Sequence, residues 1–263
     1  MRDGFKFGLL IFVVAVAFVF FNRIDRSMPW YFNFHHGNGD SDFKIWDSER
    51  DNEKTYNYRD QNLVVPFDTL AVKGVLNLDA AAGNFEISGT CNDFLAFSKK
   101  GDIGNYELTS SDSRRVKTIS LKMSESSVRH NINKNSVEIK LNPKPSWDMN
   151  LDIGAAAMDM DLSEYRIDTA TFNAGASSIE VKLGDKNPVT VINFDAGASS
   201  ITVKVPKTSG CQVSSESFMV SKEFEGLEKV RENVYQTQSF NNAKNKVLIT
   251  VKTAISKIRI ERY

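Results

Sequence analysis

The sequence predicts an all-β repeat domain, a single-stranded β-solenoid with about 21–22 residues per rung, behind an N-terminal transmembrane helix. Three observations predict it. Near-identical units recur at that spacing, each unit alternates apolar and polar residues, and one long apolar run lies ahead of them. The composition agrees. Thirty-three Lys and Arg balance 33 Asp and Glu over 263 residues, so no net field attracts nucleic acid. With 41% hydrophobic and 25% charged residues the chain is globular, and 15 Gly and 6 Pro exclude a collagen-like or proline-rich architecture.

Taken in order, a short tail (1–6) precedes a transmembrane anchor (7–24). Phe7–Phe21 holds no charged or strongly polar side chain and covers about 23 Å as a helix. Ile24 extends it, and Arg23 and Arg26 can raise their charges to the interface. Phe18, Val19, Phe20 and Phe21 leave no small-residue cleavage site, so an uncleaved anchor is expected rather than a signal peptide. Residues 25–62 form an aromatic juxtamembrane segment and polar linker. Met28–Phe34 suits the headgroup region, and the charged stretch from His35 to Gln61 cannot bury much surface. His35 and His36 have no third metal ligand at fixed spacing and read as a solvated loop. The remainder, 63–263, is the repeat domain, and it is expected outside the cytoplasm.

The repeat itself is explicit. Leu151–Leu162, Phe172–Leu183 and Phe194–Val205 align, with Gly154, Gly175 and Gly197 in one column, 21 and 22 residues apart. A fainter copy starts at Leu78, and another at Val251 closes the sequence as a last repeat. The first position is always apolar: Leu78, Leu151, Phe172, Phe194, Val251. The second is Asp79, Asp152, Asn173, Asp195, then Lys252. A Gly/Ala/Ser corner follows, where small residues let the backbone turn tightly. Strict alternation comes next, as in Ile179, Val181 and Leu183 around Glu180 and Lys182, the pattern of a half-buried strand. One such unit is too small to bury its apolar face, and stacking identical units at about 4.8 Å gives them a shared core. Tyr106–Ser110, Lys117–Ser124 and Ser136–Leu141 read as further strands, and Lys222–Arg231 as a short helical turn.

These residues resemble the toast-rack domain of bacterial cell-envelope proteins, a family that includes the C-terminal part of the envelope-stress regulator LiaF. The resemblance spans Val64–Tyr263 and rests on the Gly-Ala corners, on Trp147–Asp152 leading into them, and on Val251–Ile260. It implies a membrane segment joined to a β-solenoid without catalytic residues. Some members sense or damp responses to cell-wall damage through other membrane or surface proteins.

Chemistry is sparse. Asp159 and Asp161 share a strand face and Glu180 is expected beside Asp159, but a carbohydrate-cleaving pair needs a cleft as well as spacing. The column Asp79, Asp152, Asn173, Asp195 could offer oxygens to calcium or bond turn backbone, and the 73 residues before Asp152 argue against Asp79 adjoining it. Ser177, Ser178, Ser199 and Ser200 read as a corner ladder, not nucleophiles. Cys91 and Cys211 match no zinc spacing and read as two buried free thiols, with a single bridge between them as the alternative. No catalytic residue, cofactor or metal is expected. Asp161, Lys182 and Lys204 should project side by side, with Asp161 and Lys182 offsetting each other, leaving Lys204 and Thr202 to a partner. The function expected is thus a membrane-anchored, non-catalytic envelope module. It binds the lipid bilayer through its helix and another envelope or membrane protein through its coil. A surface adhesin or glycan-binding module is the second reading, and a β-helical carbohydrate-active enzyme the third.

Overall fold

The computed structural model describes residues 60–101, 104–123 and 135–263. The expected anchor (7–24), the tail 1–6, nearly all of 25–62 and the three histidines lie outside the described residues. Among the described residues no helix is long and apolar enough to cross a membrane.

Each long strand is two arms joined at a corner. In β7 (Ser146–Leu162) the buried positions are Trp147, Met149, Leu151 and Ile153, then Ala156, Met158, Met160 and Leu162. In β9 (Val189–Val205) they are Thr190, Ile192, Phe194 and Ala196, then Ser199, Ile201, Val203 and Val205. A step of two becomes a step of three at the corner. That step exchanges the faces of the pleat, so the chain bends there while both arms aim their apolar residues at one core.

The arms stack in parallel register. Leu78 of β2 (Lys73–Thr90), Leu151, Phe172 of β8 (Arg166–Leu183), Phe194, and Val251 of β13 (Lys246–Arg262) form one buried column. The Phe172 and Phe194 rings stack at 4.6 Å. Burying each such side chain contributes about 1.5–3 kcal/mol. The 73-residue gap does not separate Asp79 from Asp152 as expected: the two are register partners. After β2 the chain leaves to build one end of the coil and returns as β7 on the other side of β2.

That end consists of β1 (Gln61–Val65), β3 (Leu95–Lys100), β4 (Tyr106–Ser113), β5 (Val116–Met123) and β6 (Ser136–Leu141). β5 lies along the first arm of β2 and β6 along its second, so together they make one split rung. β4 caps β5, while β3 and then β1 cap β6, all antiparallel. Capping strands of this kind keep a parallel stack from offering open edges. The Gln61 amide joins the two caps, donating to the Tyr106 carbonyl and accepting from its N–H at 2.7 Å.

The other end departs from sequence order. β10 (Gly210–Phe224) is the outermost long strand and β13 lies between it and β9. The repeat at Val251 is therefore in register with its neighbours without being the last rung. β12 (Val234–Gln236) and β11 (Glu228–Arg231) cap β10. The expected helical turn over Lys222–Arg231 does not form. Lys222 belongs to β10, and Gly226, at φ 69, turns the chain into β11. Cys91 and Cys211 are free thiols, half-buried and buried, and burial pushes the Cys211 thiol up to about 12.

A bulge ties the early rungs together. Trp147 pairs with Ile167 but Asp148 with Thr169, which leaves Asp168 unpaired in the ladder. Its carboxylate accepts from Ser146 at 2.9 Å and Asn187 at 2.6 Å and meets Lys73 at 3.0 Å, while Lys73 also reaches Asp148 at 2.7 Å. Burial raises the Asp168 pKa, but the bonds from Asn187, Lys73 and Ser146 outweigh it and hold the carboxyl below its usual range. A depressed carboxylate stabilises the fold above its unfolded value of about 4, and that contribution disappears as pH falls through the lower folded value. Wild type should therefore lose urea resistance below about pH 4 more steeply than Asp168→Asn. Parallel curves for the two would refute the clamp.

Candidate functional site

The second arms place a charged sheet on the surface. Asp161, Lys182 and Lys204 are register neighbours on β7, β8 and β9, as the sequence predicts. Lys182 Nζ meets Asp161 Oδ2 at 2.9 Å and also lies 5.5 Å from the centre of the Tyr263 ring. Burial pushes the Asp161 carboxyl up, but bonds from Ser163 and Lys182 prevail and lower it. Its hydrogen bond to Asp161 raises the Lys182 pKa.

Lys204 is not available as expected. Its Nζ meets Glu180 Oε1 at 2.5 Å, and that bond raises the lysine's pKa. Glu180 is the register partner of Thr202, two residues before Lys204. The pair thus runs diagonally across the ladder, a reach of about 7–8 Å that a lysine spans easily. Thr202 is half-buried between Glu180 and Arg259.

What the face leaves over is negative. Glu138, Glu86, Asp159 and Glu180 form one column on β6, β2, β7 and β8. Lys140 meets Glu138 at 2.8 Å, whereas Glu86 and Asp159 have no ion pair among the described residues. Partial burial, then the charges of Glu180 and Glu86, raise the Asp159 pKa. Sequence reasoning found Asp159 and Glu180 but missed the other two. Glu86 was visible in the faint first copy, while Glu138 lies on a strand without a Gly-Ala corner.

The other proposed groups fall elsewhere. Asp79, Asp152, Asn173, Asp195 and Lys252 form a continuous ladder on the first arms. Asn173 donates to Asp152 Oδ1 at 2.8 Å, so this pair bonds across rungs. Burial and the Asp152 charge raise the Asp79 pKa. Among the described residues no three His, Cys, Asp or Glu converge as a metal site. Ser177 and Ser199 are buried inside the corner with their hydroxyls 3.1 Å apart, as a corner ladder requires. Asp159, Asp161 and Glu180 stand on the open strand face. An open cavity of about 510 Å³ lies away from them, between Lys207, Glu225, Leu227, Thr237 and Arg262.

Gly154, Gly175 and Gly197 occupy the corners, but not for backbone freedom: none has positive φ. Close approach selects glycine there. A Cβ on Gly154 would lie 2.4 Å from the Ala81 carbonyl oxygen, one on Gly175 3.0 Å from that of Gly154, and one on Gly197 3.1 Å from that of Gly175.

The comparisons agree with this architecture. The family model described as the N-terminal domain of toast_rack (DUF2154) matches residues 47–204. No curated protein matches the chain. Among solved structures, a "putative cell adhesion protein" from Clostridium sporogenes ATCC 15579 is similar at 20% identity and TM-score 0.72, over 78% of this chain and 99% of that one. A "putative adhesin" from Bacteroides fragilis NCTC 9343 aligns at 10% identity with a TM-score of 0.30, over 76% of this chain and 95% of that one. At this identity the first likeness shows a shared fold. With the family model matching more than half of the sequence, and with its corners and parallel rungs in place, the chain belongs to the toast-rack (DUF2154) family.

Proposed function

We infer that this protein is a membrane-anchored, non-catalytic component of a bacterial cell envelope, whose coil is a binding and regulatory module acting in envelope-stress signalling. The apolar run Phe7–Phe21 supplies a single-pass anchor. The coil stands outside the cytoplasm, without cofactor or nucleic acid. The observation that most supports a binding role is the second-arm face, a flat surface with its lysines already paired. Its carboxylates stand on the open strand face, and flat solenoid faces serve as extended contact surfaces. With Glu86 and Asp159 left over, the partner is a basic patch of another envelope or membrane protein. This replaces the acidic partner that free lysines would suit.

Two measurements test this. Detergent should be needed to extract the full chain, and release by carbonate washing would refute the anchor. In pull-downs from solubilised membranes, Glu86→Lys with Asp159→Lys should lose a partner that wild type retains. An unchanged partner set at equal protein level would retire the face.

The first arms favour a second reading, a glycan-binding adhesin. Asn77, Asn150, Thr171, Asn193 and Thr250 form a flat row of amides and hydroxyls, and the Clostridium sporogenes protein of like fold is described as a "putative cell adhesion protein". Binding of purified glycan by residues 63–263, abolished by Asn150→Ala with Asn193→Ala, would establish it.

A further inference from the structure

The spatial order β9–β13–β10 leaves β10 in an unusual position. Among the described residues it pairs with β13 and β12 and nowhere with β9. β13 fills the whole slot between them. It runs parallel to β9 from Lys246↔Val189 to Arg262↔Val205, and parallel to β10 from Lys246↔Gly210 to Ile260↔Phe224. It also carries its own share of the core, with Val247, Ile249, Val251, Ile258 and Ile260 all buried. Without β13, β10 and its caps would have no ladder joining them to the coil, and β9 would present a bare parallel edge of the kind that recruits strands.

We propose that the slot between β9 and β10 is a strand-binding site, filled by β13 after the rest of the coil has formed, and able to take β13 from a second copy of the chain. The two edges recognise one sequence, so a strand supplied in trans makes the same ladders and buries the same five side chains. The connection allows it. Residues 237–245 fold on themselves through Phe240 N–H to Thr237 O and Ala243 N–H to Ser239 O. Asn245 then pins their end on the carbonyls of Asp185 and Asn187 at 2.8 and 2.7 Å. Unfolded, nine residues reach about 30 Å, enough to hand β13 to a neighbour as in domain swapping.

The test uses the full chain with a protease site inserted between Asn241 and Asn242, both exposed, and cut after folding. The severed β13 should stay bound on gel filtration. A fluorescent peptide of residues 246–263 should replace it, about tenfold faster in urea concentrations at which β7–β9 amides remain protected. The same peptide carrying Val251→Asp and Ile258→Asp should not enter. Failure of the unmodified peptide to enter at any such concentration overturns the proposal. If the insertion prevents folding, hydrogen exchange on the uncut wild type decides. Amides of β10, β12 and β13 should open together, below the free energy at which β7–β9 open. Opening of β10 alone, with β13 as protected as β9, overturns it equally.

Discussion

Gly154→Val is expected to destabilise the coil by about 3 kcal/mol, more than the same change at Gly175 or Gly197. The ranking follows from distance. A Cβ at 2.4 Å from the Ala81 carbonyl oxygen cannot be accommodated by a side-chain shift, because the obstacle is backbone. At 3.0 and 3.1 Å the carbonyls of Gly154 and Gly175 need yield by only a few tenths of an ångström. The clash also falls between β2 and β7, where the chain returns after building the capped end. The strain would therefore pry that end from the rest of the coil. Urea unfolding of the three valine variants beside Glu180→Gln measures the order. The control removes a half-buried surface ion pair and should stay within about 1 kcal/mol of wild type. Equal losses at all three corners would mean that the rungs slide to absorb the clash, contrary to a rigid parallel register.

How far the sequence carried this architecture depended on which contacts repeat. The columns headed by Leu151, Phe172 and Phe194 announce themselves, because identical neighbours need identical residues to fill a shared core. β10 escaped notice because Ser215 stands beside Val251 and Lys222 beside Ile258. A terminal rung with a cap over one side does not need the repeat's apolar residues. Rung order was hidden for a different reason. The inside–outside alternation of β13 is the same whichever strands flank it, so nothing local records that β10 lies beyond it. The candidate face divides the same way. Period two places Asp161, Lys182 and Lys204 on one side, and they are there. The partner of Lys204 depends on where a long flexible side chain reaches across the ladder, so no local pattern records the diagonal bond to Glu180. The glycines show the right residue for another reason: the corner motif was visible, but it serves close approach, not a positive φ.

Trp147→Ala should cost about 3–5 kcal/mol, the largest effect expected from truncating one side chain. Trp147 is fully buried where the capped end meets the coil. Its ring lies 5.2 Å from that of Phe94, and its indole N–H donates to the Asn142 carbonyl at 2.9 Å. Asn142 in turn donates its amide to the carbonyls of Cys91, Asn92 and Asp93 at 3.0–3.2 Å, closing the turn that carries Phe94. Alanine therefore leaves a cavity and an unsatisfied carbonyl together. Trp147→Phe keeps an aromatic ring and should cost less, about 1–2 kcal/mol. The residue opposite tests the geometry. Gly74 is the register partner of Trp147, and a Cβ there would lie 2.5 Å from the indole. Gly74→Ala should thus be strongly destabilising alone, and distinctly less so beside Trp147→Phe, whose smaller ring recedes from the clash. Denaturation of residues 63–263, followed by circular dichroism for all variants, supplies the double-mutant cycle. Trp147 is also the one tryptophan of that segment, so its fluorescence in wild type reports this junction directly. Strict additivity of the two substitutions would show that Gly74 is required for something other than the indole packed against it.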